Sequence, residues 1–326
     1  MDVNFQGILE ARKWVYQHLR STPLIPYPLL SEYLTCEAHV KHENHNPTGS
    51  FKVRGGINLI SQLSPEEKRQ GVITATRGNH GQSIAMACKI FGVPCIIVVP
   101  HGNNPDKNQA MRAYGAELLI HGCDFDEARL KVEEIWTERR LRYVHSANEP
   151  LLIHGVGTYA LEILQDLPNP DCIFVPLGGG SGLVGLLTVI RAVAPGVRVV
   201  GVQAEKAASV YLSWKKGEMV STSSADTMAD GLATRVPFEL TFPIIQQNVD
   251  EIVTVSDAEI MSAMYHLFRT THNVAEGAGA APVAAAFKLR REITGTKVVL
   301  ILSGSNVDAE TFRAVLQNHG PPVSSE

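Results

Sequence analysis

Short runs of apolar, β-branched residues alternate with helical patterns along almost the whole chain, and this alternation constrains the fold most. Strands of a parallel sheet read as such runs because helices bury both of its faces. The sequence therefore predicts an α/β protein with mostly parallel sheets flanked by helices, in which ligands bind at the carboxyl ends of strands. The predicted strands are His39–His42, Val72–Thr76, Cys95–Val99, Glu117–His121, Arg142–His145, Ile173–Leu177, Val197–Gln203, Glu251–Val255 and Lys297–Leu302.

Two helix starts are marked by capping residues. The segment Ser64–Glu67 combines a cap, a proline in the first turn and two carboxylates near the positive end of the helix dipole. The segment Ser256–Glu259 is a capping box that precedes an apolar helical face. The 326 residues exceed what one compact core usually holds, so two domains are expected. The tail Pro321–Glu326 is expected to be frayed.

Composition excludes several classes of protein. A formal net charge of -4 provides no basic field, so nucleic acid is not an expected partner. No apolar run reaches the roughly 18 residues of a membrane helix, and no secretory signal opens the chain, so no membrane contact is expected. The five cysteines contain no C-x-x-C pair, which argues against a disulfide framework. The expected location is the cytoplasm.

A lysine with unusual neighbours stands in the segment Asn46–Gly56, ahead of a helix start predicted near Ile57. Lys52 lies between apolar Phe51 and Val53, and burial among such residues lowers the pKa of an amine. A neutral amine can attack a carbonyl carbon. The alternative for this segment on its own is an ordinary solvated surface lysine.

The loop Gly178–Gly182 follows a predicted strand and precedes a helical segment. Glycines let backbone amides approach an anion, and the helix directs its positive end to the same point, so the loop predicts a phosphate site. The alternative is a tight turn for helix–sheet packing. The spacing over Gly180–Gly185 also fits the dinucleotide fingerprint, with Glu205 about 20 residues further on. An NAD-dependent oxidoreductase is therefore a competing class, although it leaves Lys52 unexplained.

Four segments follow one another along the chain: Ser50-Phe51-Lys52-Val53-Arg54-Gly55, Thr76-Arg77-Gly78-Asn79-His80-Gly81-Gln82, Gly178-Gly179-Gly180-Ser181-Gly182 and Ser303-Gly304-Ser305-Asn306. Together they resemble the pyridoxal-phosphate enzymes of fold type II, the tryptophan synthase β-subunit class. The nearest resemblance is to the serine/threonine dehydratases and serine racemase, and it covers the chain from about Thr22 to the Ser303 segment. Glu276 matches a further family position beside the cofactor ring.

The resemblance implies a two-domain fold with pyridoxal 5'-phosphate between the domains. Residues 1–46 and 147–326 would form the large domain and residues 47–146 the small one. Lys52 would carry the cofactor as a Schiff base, with Phe51 beside it, and later remove the substrate α-proton. Asn79 would contact the phenolic oxygen, Gly178–Gly182 the phosphate and Ser303 the pyridine nitrogen. The residues expected to bind the substrate are Ser50, Thr76, Arg77, Gly78 and His80.

Neutral Ser303 makes the ring a weaker electron sink than a carboxylate would, which favours elimination over transamination. Structural interpretations stay open beside these roles. Asn79 could cap the following helix, and Ser303 could be a turn residue. Glu276 could be a solvated charge at a helix end, and His80 a structural histidine.

Three positions depart from the family pattern. Ser181 stands where a fourth glycine is commoner, but its amide can still donate. Arg77 replaces the serine that is the proton donor and acceptor of serine racemase, and the pKa of arginine is too high for that role. Arg77 could instead bind a charged substrate group or a carboxylate of the protein. Glu205 matches the glutamate of the family's divalent-ion site, but Tyr211 stands at the aspartate position and puts that site in doubt.

The expected activity is dehydration of a β-hydroxy amino acid to a 2-oxo acid and ammonia. L-Threonine or L-serine is the first-choice substrate. Dehydration of 3-hydroxyaspartate or of a bulkier 3-hydroxy amino acid, and a β-replacing synthase reaction, are the alternatives within the family. The expected partners are the small amino-acid substrate and a second copy of the chain in a homodimer.

Overall fold

The structure is a computed structural model that describes residues 2–318, so the tail at 321–326 lies outside the described residues. The strands in this range are β1 (Leu24–Pro26), β2 (Glu37–His42), β3 (Val72–Ala75), β4 (Cys95–Val99), β5 (Glu117–Ile120), β6 (Arg142–Tyr143), β7 (Cys172–Pro176), β8 (Arg198–Ala204), β9 (Glu251–Val255) and β10 (Lys297–Leu302). The α-helices are α1 (Phe5–His18), α2 (Pro28–Leu34), α3 (Lys52–Ser61), α4 (Pro65–Gln70), α5 (Asn79–Phe91), α6 (Pro105–Ala113), α7 (Phe125–Arg139), α8 (Pro150–Asp166), α9 (Ser181–Val193), α10 (Ser209–Lys216), α11 (Thr241–Asn248), α12 (Asp257–Thr271), α13 (Gly277–Lys288) and α14 (Ala309–Asn318).

The strands form two sheets, both predominantly parallel. The larger has the order β1-β2-β10-β7-β8-β9, in which β1 runs antiparallel to its neighbour β2. The smaller has the order β5-β4-β3-β6 and parallel pairing between all of its neighbours. Buried apolar clusters join the sheets to the surrounding helices. The predicted α/β fold with mostly parallel, helix-flanked sheets is confirmed.

Each of the nine predicted strands is present, with ends that differ by no more than two residues. The tenth strand, β1, was not predicted, because it has only three residues and ends at Pro26. Proline cannot donate to a ladder and is tolerated at a sheet edge, which is where β1 lies. The smaller sheet uses strands between Val72 and Tyr143. A small domain with boundaries at 47 and 146 stays a prediction.

Both predicted helix starts are confirmed. Ser64 and Glu67 form a capping box at α4, and Ser256 and Glu259 form another at α12. In each box the serine hydroxyl accepts from the backbone of the glutamate, whose carboxylate accepts from the backbone of the serine. Across residues 2–318 the structure contains no helix with the length and apolar character needed to span a membrane.

The helix that carries Lys52 begins earlier than the sequence indicates. It starts at Lys52 itself, whereas the glycines Gly55 and Gly56 had moved the predicted start to near Ile57. These glycines serve packing between helices: a Cβ on Gly55 would lie 2.7 Å from the carbonyl oxygen of Leu152 in α8. Tertiary contacts therefore override the low helix propensity of glycine here.

Candidate active site

A cavity opens at the carboxyl ends of β3, β7 and β10, where ligands bind in parallel α/β folds. The start of α3 completes its wall. Except for Ser50 and Glu205, every predicted site residue lines this cavity. These residues are Phe51, Lys52, Thr76, Arg77, Gly78, Asn79, His80, Gly178, Gly179, Gly180, Ser181, Gly182, Glu276 and Ser303.

The amine of Lys52 faces the glycine loop across this cavity. Its Nζ lies 2.8 Å from Ser181 Oγ and 3.3 Å from the carbonyl oxygen of Ser146. Burial lowers the pKa of Lys52 to about 8, because desolvation disfavours the charged ammonium. Near neutral pH a larger fraction of this amine is therefore neutral and nucleophilic than in a solvated lysine.

The glycine loop joins β7 to α9, which begins at Ser181. Gly180 has φ +91°, a left-handed value that suits glycine, and a Cβ on Gly178 would lie 2.1 Å from the carbonyl oxygen of Gly231. Glycine is therefore required for the course of the loop as well as for close approach to a ligand. The loop also stands before the positive end of α9, so it is suited to a phosphate group.

The turn after β3 leads directly into α5. Thr76 Oγ1 accepts from the backbone amides of Gly78 and Gly81, at 2.9 and 3.2 Å, so these two amides are paired within the turn. His80 Nε2 lies 2.9 Å from Thr74 Oγ1. Burial lowers the pKa of His80 to about 3, so its ring is neutral. This geometry supports the structural interpretation of His80, although the ring also lines the cavity.

Asn79 and Glu276 meet at the cavity wall. Asn79 Nδ2 donates to Glu276 Oε1 at 2.6 Å, while the N-cap position of α5 is occupied by Gly78. Glu276 is buried, so the alternative of a solvated helix-end charge is wrong. Burial raises the pKa of Glu276, and the opposing influences of Lys107 and of the Asn79 hydrogen bond are smaller.

Backbone contacts join the Ser303 segment to the Lys52 segment. The carbonyl oxygen of Ser303 accepts from the amide of Phe51 at 3.0 Å, and Ser50 forms an isolated antiparallel bridge with Gly304. These contacts hold Ser303 beside the lysine. Ser50 itself is fully buried and does not line the cavity, and its hydroxyl has no hydrogen-bond partner among residues 2–318. The structure thus contains no contact that explains its predicted role in substrate binding.

Arg77 has a carboxylate partner within the protein. Its Nη2 lies 3.2 Å from Asp230 Oδ1, and Lys107 Nζ lies 3.0 Å from Asp230 Oδ2. Of the two alternatives for Arg77, the protein carboxylate is the one observed. Asp230 and Lys107 also line the cavity, and the sequence analysis missed both. Their sequence surroundings indicate them only weakly: Asp230 precedes Gly231, and Lys107 lies in the first turn of α6, which begins with a proline.

Glu205 lies outside the cavity. It is exposed at the start of a short 3-10 turn that follows β8. Among residues 2–318 no group of three or more His, Cys, Asp or Glu side chains is arranged to hold a metal ion. Neither the ribose contact nor the metal contact considered for Glu205 is therefore part of this site.

The chain belongs to the family of pyridoxal-phosphate dependent enzymes, whose pattern matches residues 15–304. The predicted family and the predicted cofactor, pyridoxal 5'-phosphate, are confirmed, and this assignment replaces the dinucleotide interpretation of the glycine loop. The L-threonine ammonia-lyase of Geobacter sulfurreducens is 40% identical over 310 residues, which are 95% of this chain and 77% of that protein.

Two solved structures show the same architecture. The processed form of threonine deaminase isoform 2 from Solanum lycopersicum has a TM-score of 0.91 at 32% identity, covering 97% of this chain and 95% of that one. Maize serine racemase has a TM-score of 0.91 at 27% identity and covers 98% of each chain. These likenesses confirm the predicted fold type II.

The residues around the cavity fit this cofactor. A buried amine, a glycine loop ahead of a helix and a hydroxyl-bearing residue after β10 all face one space. By their chemistry they are suited, in this order, to the aldehyde, the phosphate and the pyridine nitrogen of pyridoxal 5'-phosphate. The close backbone approach at Gly178 leaves no room for a side chain that would fill the phosphate end.

Proposed function

We propose that this protein is a pyridoxal-phosphate-dependent dehydratase, or ammonia-lyase. It converts a β-hydroxy amino acid, L-threonine or L-serine, into a 2-oxo acid and ammonia by α,β-elimination. The observation that carries the proposal is the buried Lys52 amine, which lies 2.8 Å from Ser181 Oγ in the glycine loop. The names of the relatives, an L-threonine ammonia-lyase and a threonine deaminase, support the choice of substrate.

Lys52 has two tasks in this proposal. Its amine would hold the cofactor through the aldehyde and, once the substrate is bound, would take the proton from the substrate Cα. The lowered pKa suits both tasks, because a neutral amine is a nucleophile and a base. The bound cofactor supplies an electron sink for the electron pair left on Cα. The β-hydroxyl would take up a proton and leave as water, which gives an enamine, and addition of one water to the imine form of that enamine releases ammonia and the 2-oxo acid.

Other cavity residues orient the cofactor and the substrate. The amides of Gly178–Gly182 would hold the phosphate, Asn79 would donate to the phenolic oxygen and Ser303 would contact the pyridine nitrogen, with Phe51 and Glu276 beside the ring. The hydroxyl of Ser303 does not stabilise a protonated pyridine nitrogen, so prompt loss of the β-hydroxyl is favoured. The turn that contains Thr76, Arg77, Gly78 and His80 would bind the substrate carboxylate, with the charge of Arg77 directed to Asp230 and not to that carboxylate.

A substrate panel tests this function. The loaded enzyme is assayed for 2-oxo acid and ammonia with L-threonine, L-serine, 3-hydroxyaspartate and a 3-hydroxy amino acid that carries an aromatic substituent. We expect equimolar 2-oxo acid and ammonia, with the highest kcat/KM for L-threonine or L-serine. An enzyme that is inactive on the whole panel, yet forms a β-replaced amino acid from an activated serine and sulfide, would contradict the dehydratase and favour a synthase.

Arg77→Ala is expected to lower kcat/KM for L-threonine and for 3-hydroxyaspartate alike, by about fivefold or less, because a half-exposed ion pair contributes little. The reason is that Asp230 meets the charge of Arg77, so no substrate carboxylate is needed. Asp230→Asn removes the same pair from its other side and serves as the matched variant. A much larger loss for 3-hydroxyaspartate than for L-threonine in Arg77→Ala would place Arg77 on the second carboxylate of the substrate.

Covalent capture of pyridoxal 5'-phosphate by the cofactor-free protein is expected to accelerate with pH and to level off above about 8. Because the pKa of Lys52 is lowered, its nucleophilic neutral form predominates above a pH of about 8. For an ordinary lysine the corresponding pH is roughly two units higher. At neutral pH this gives an advantage on the order of 10²-fold over an ordinary lysine. Stopped-flow absorbance measures the rate, and a rate still rising at about pH 10 would exclude a lowered pKa.

We also infer a homodimer that resides in the cytoplasm. Buried free thiols at Cys36, Cys88, Cys95 and Cys172, together with exposed Cys123, support a reducing compartment. Light scattering coupled to size-exclusion chromatography tests the dimer, and a mass equal to a single 35.5 kDa chain would contradict it.

A further inference from the structure

Asn306 stands three residues after Ser303 and bridges two segments of the cavity wall. Its Nδ2 donates to Asn79 Oδ1 at 2.8 Å and to the carbonyl oxygen of Thr48 at 2.8 Å. The first contact reaches the start of α5, and the second reaches the turn ahead of Lys52. Asn306 itself does not line the main cavity, so it acts on the site through these neighbours.

The orientation of the Asn79 amide decides what this side chain can do. An asparagine amide has an acceptor end, Oδ1, and a donor end, Nδ2, and rotation by half a turn exchanges them. In the structure Oδ1 faces Asn306 and Nδ2 faces Glu276, at 2.6 Å from Oε1. Only this orientation leaves a second N–H of Nδ2 for an anionic oxygen such as the phenolic oxygen of the cofactor.

Glu276 alone cannot enforce that orientation. A carboxylate accepts from Nδ2, but a protonated carboxyl group can donate to Oδ1, which would turn the amide around. Burial raises the pKa of Glu276 and so makes the protonated form more accessible. Asn306 enforces the orientation as long as its own donor end, Nδ2, faces Asn79, because a donor there requires the acceptor Oδ1 of Asn79.

The carbonyl oxygen of Thr48 ensures this. A backbone carbonyl can only accept, so it holds Nδ2 of Asn306, and the other N–H of that nitrogen is directed to Asn79. The side chain of Asn306 also lies close to the backbone of Gly49, where a larger residue would collide with it. Gly49 has φ +66°, and a Cβ there would lie 2.8 Å from Asn306 Oδ1. The carbonyl oxygen of Thr48 thus sets the orientation of the Asn306 amide, and Asn306 in turn sets the orientation of the Asn79 amide at the cavity.

We propose that Asn306 is a positioning residue that keeps the donor end of Asn79 directed at the cofactor's phenolic oxygen. The inference rests on the proposed role of Asn79 and extends it to a residue that the family resemblance placed in a motif without a task. Loss of Asn306 lets the amide of Asn79 turn, so that an acceptor faces an anionic oxygen. The cost should appear in cofactor binding and in the colour of the bound cofactor.

A double-mutant cycle on the cofactor-loaded protein tests this inference. Asn306→Ala, Asn79→Ala and the double variant are titrated with pH by absorbance, and the dissociation constant of the cofactor is measured for each. Asn306→Ala is expected to weaken cofactor binding by about threefold to tenfold, the range for one hydrogen bond, and to shift the absorbance titration. In the Asn79→Ala background the same substitution should have no further effect.

Asn306→Asp provides a second variant of the same size. Its carboxylate demands a donor from Asn79 and so turns the amide the wrong way, and we expect a larger spectral shift than for Asn306→Ala. The inference is overturned if the effect of Asn306→Ala persists undiminished in the Asn79→Ala background, because Asn306 would then act through Thr48 alone. A silent Asn79→Ala overturns it together with the proposed role of Asn79. Turnover of L-threonine, measured in parallel, tests the dehydratase function separately.

Discussion

Lys52→Ala is expected to abolish turnover of L-threonine, with a loss on the order of 10³-fold or more, because one amine both binds the cofactor and moves the α-proton. The glycine loop and the Ser303 segment do not depend on this side chain for their backbone course, so the variant should still bind the cofactor without a covalent bond. Steady-state formation of 2-oxo acid measures the first effect, and the absorbance spectrum of the bound cofactor measures the second.

Lys107→Ala is the matched control, since Lys107 lines the same cavity. Its Nζ is 3.0 Å from Asp230 Oδ2, whereas that of Lys52 lies against the glycine loop. We expect covalent attachment of the cofactor to persist in Lys107→Ala and to be lost in Lys52→Ala. If Lys52→Ala keeps activity within about tenfold of the parent, the proposed role of Lys52 as base is wrong.

Arg54→Met is expected to destabilise the protein by about 3–5 kcal/mol, because it removes one partner from a buried set of charges. Arg54 lies in α3, is fully buried, and binds Glu43 at 2.7 Å and Glu162 at 2.6 Å. Lys41 binds Glu162 as well, at 2.6 Å. The substitution removes the arginine that pairs with Glu43. A buried carboxylate that has lost its cationic partner is costly, because it stays desolvated.

Thermal unfolding of the parent protein and of Arg54→Met measures this effect, and a decrease in Tm of roughly 4–7 °C is expected for a chain of this length. Lys216→Met is the control, because Lys216 pairs with Glu218 at a site where both side chains are largely exposed. An exposed pair of this kind contributes little to stability, because water screens the two charges. A Tm for Arg54→Met as high as that of Lys216→Met would show that the buried charges do not stabilise α3.

Much of the fold could be predicted because parallel strands that are buried on both faces have short, continuous runs of apolar residues in the sequence. The runs at Cys95–Val99, Glu251–Val255 and Lys297–Leu302 became strands with the predicted ends. The start of α3 could not be predicted in this way. Gly55 is tolerated in that helix only because α8 approaches it closely, which is a property of the packed molecule.

In the candidate site, too, residues within local motifs could be predicted, whereas residues brought together only by the fold could not. The residues that line the cavity were found where a local motif stands at the end of a strand, as for Asn79 after β3 and Ser303 after β10. Lys107 and Asp230 form their pair across 123 positions, and no local pattern announces it. Asn306 belongs to one of these motifs, but its proposed positioning role rests on hydrogen bonds to Asn79 and Thr48, which join distant parts of the chain and which no local pattern predicts.

Reduction of the cofactor-loaded protein with borohydride, followed by peptide mapping, tests the central claim most directly. Hydride converts the bond between the amine and the cofactor aldehyde into a stable secondary amine, so the modified lysine can be located by mass. We predict one pyridoxyl adduct, on Nζ of Lys52, whose amine faces the glycine loop at 2.8 Å. An adduct on Lys107 or any other lysine, or no adduct in a protein that binds the cofactor, would contradict the account.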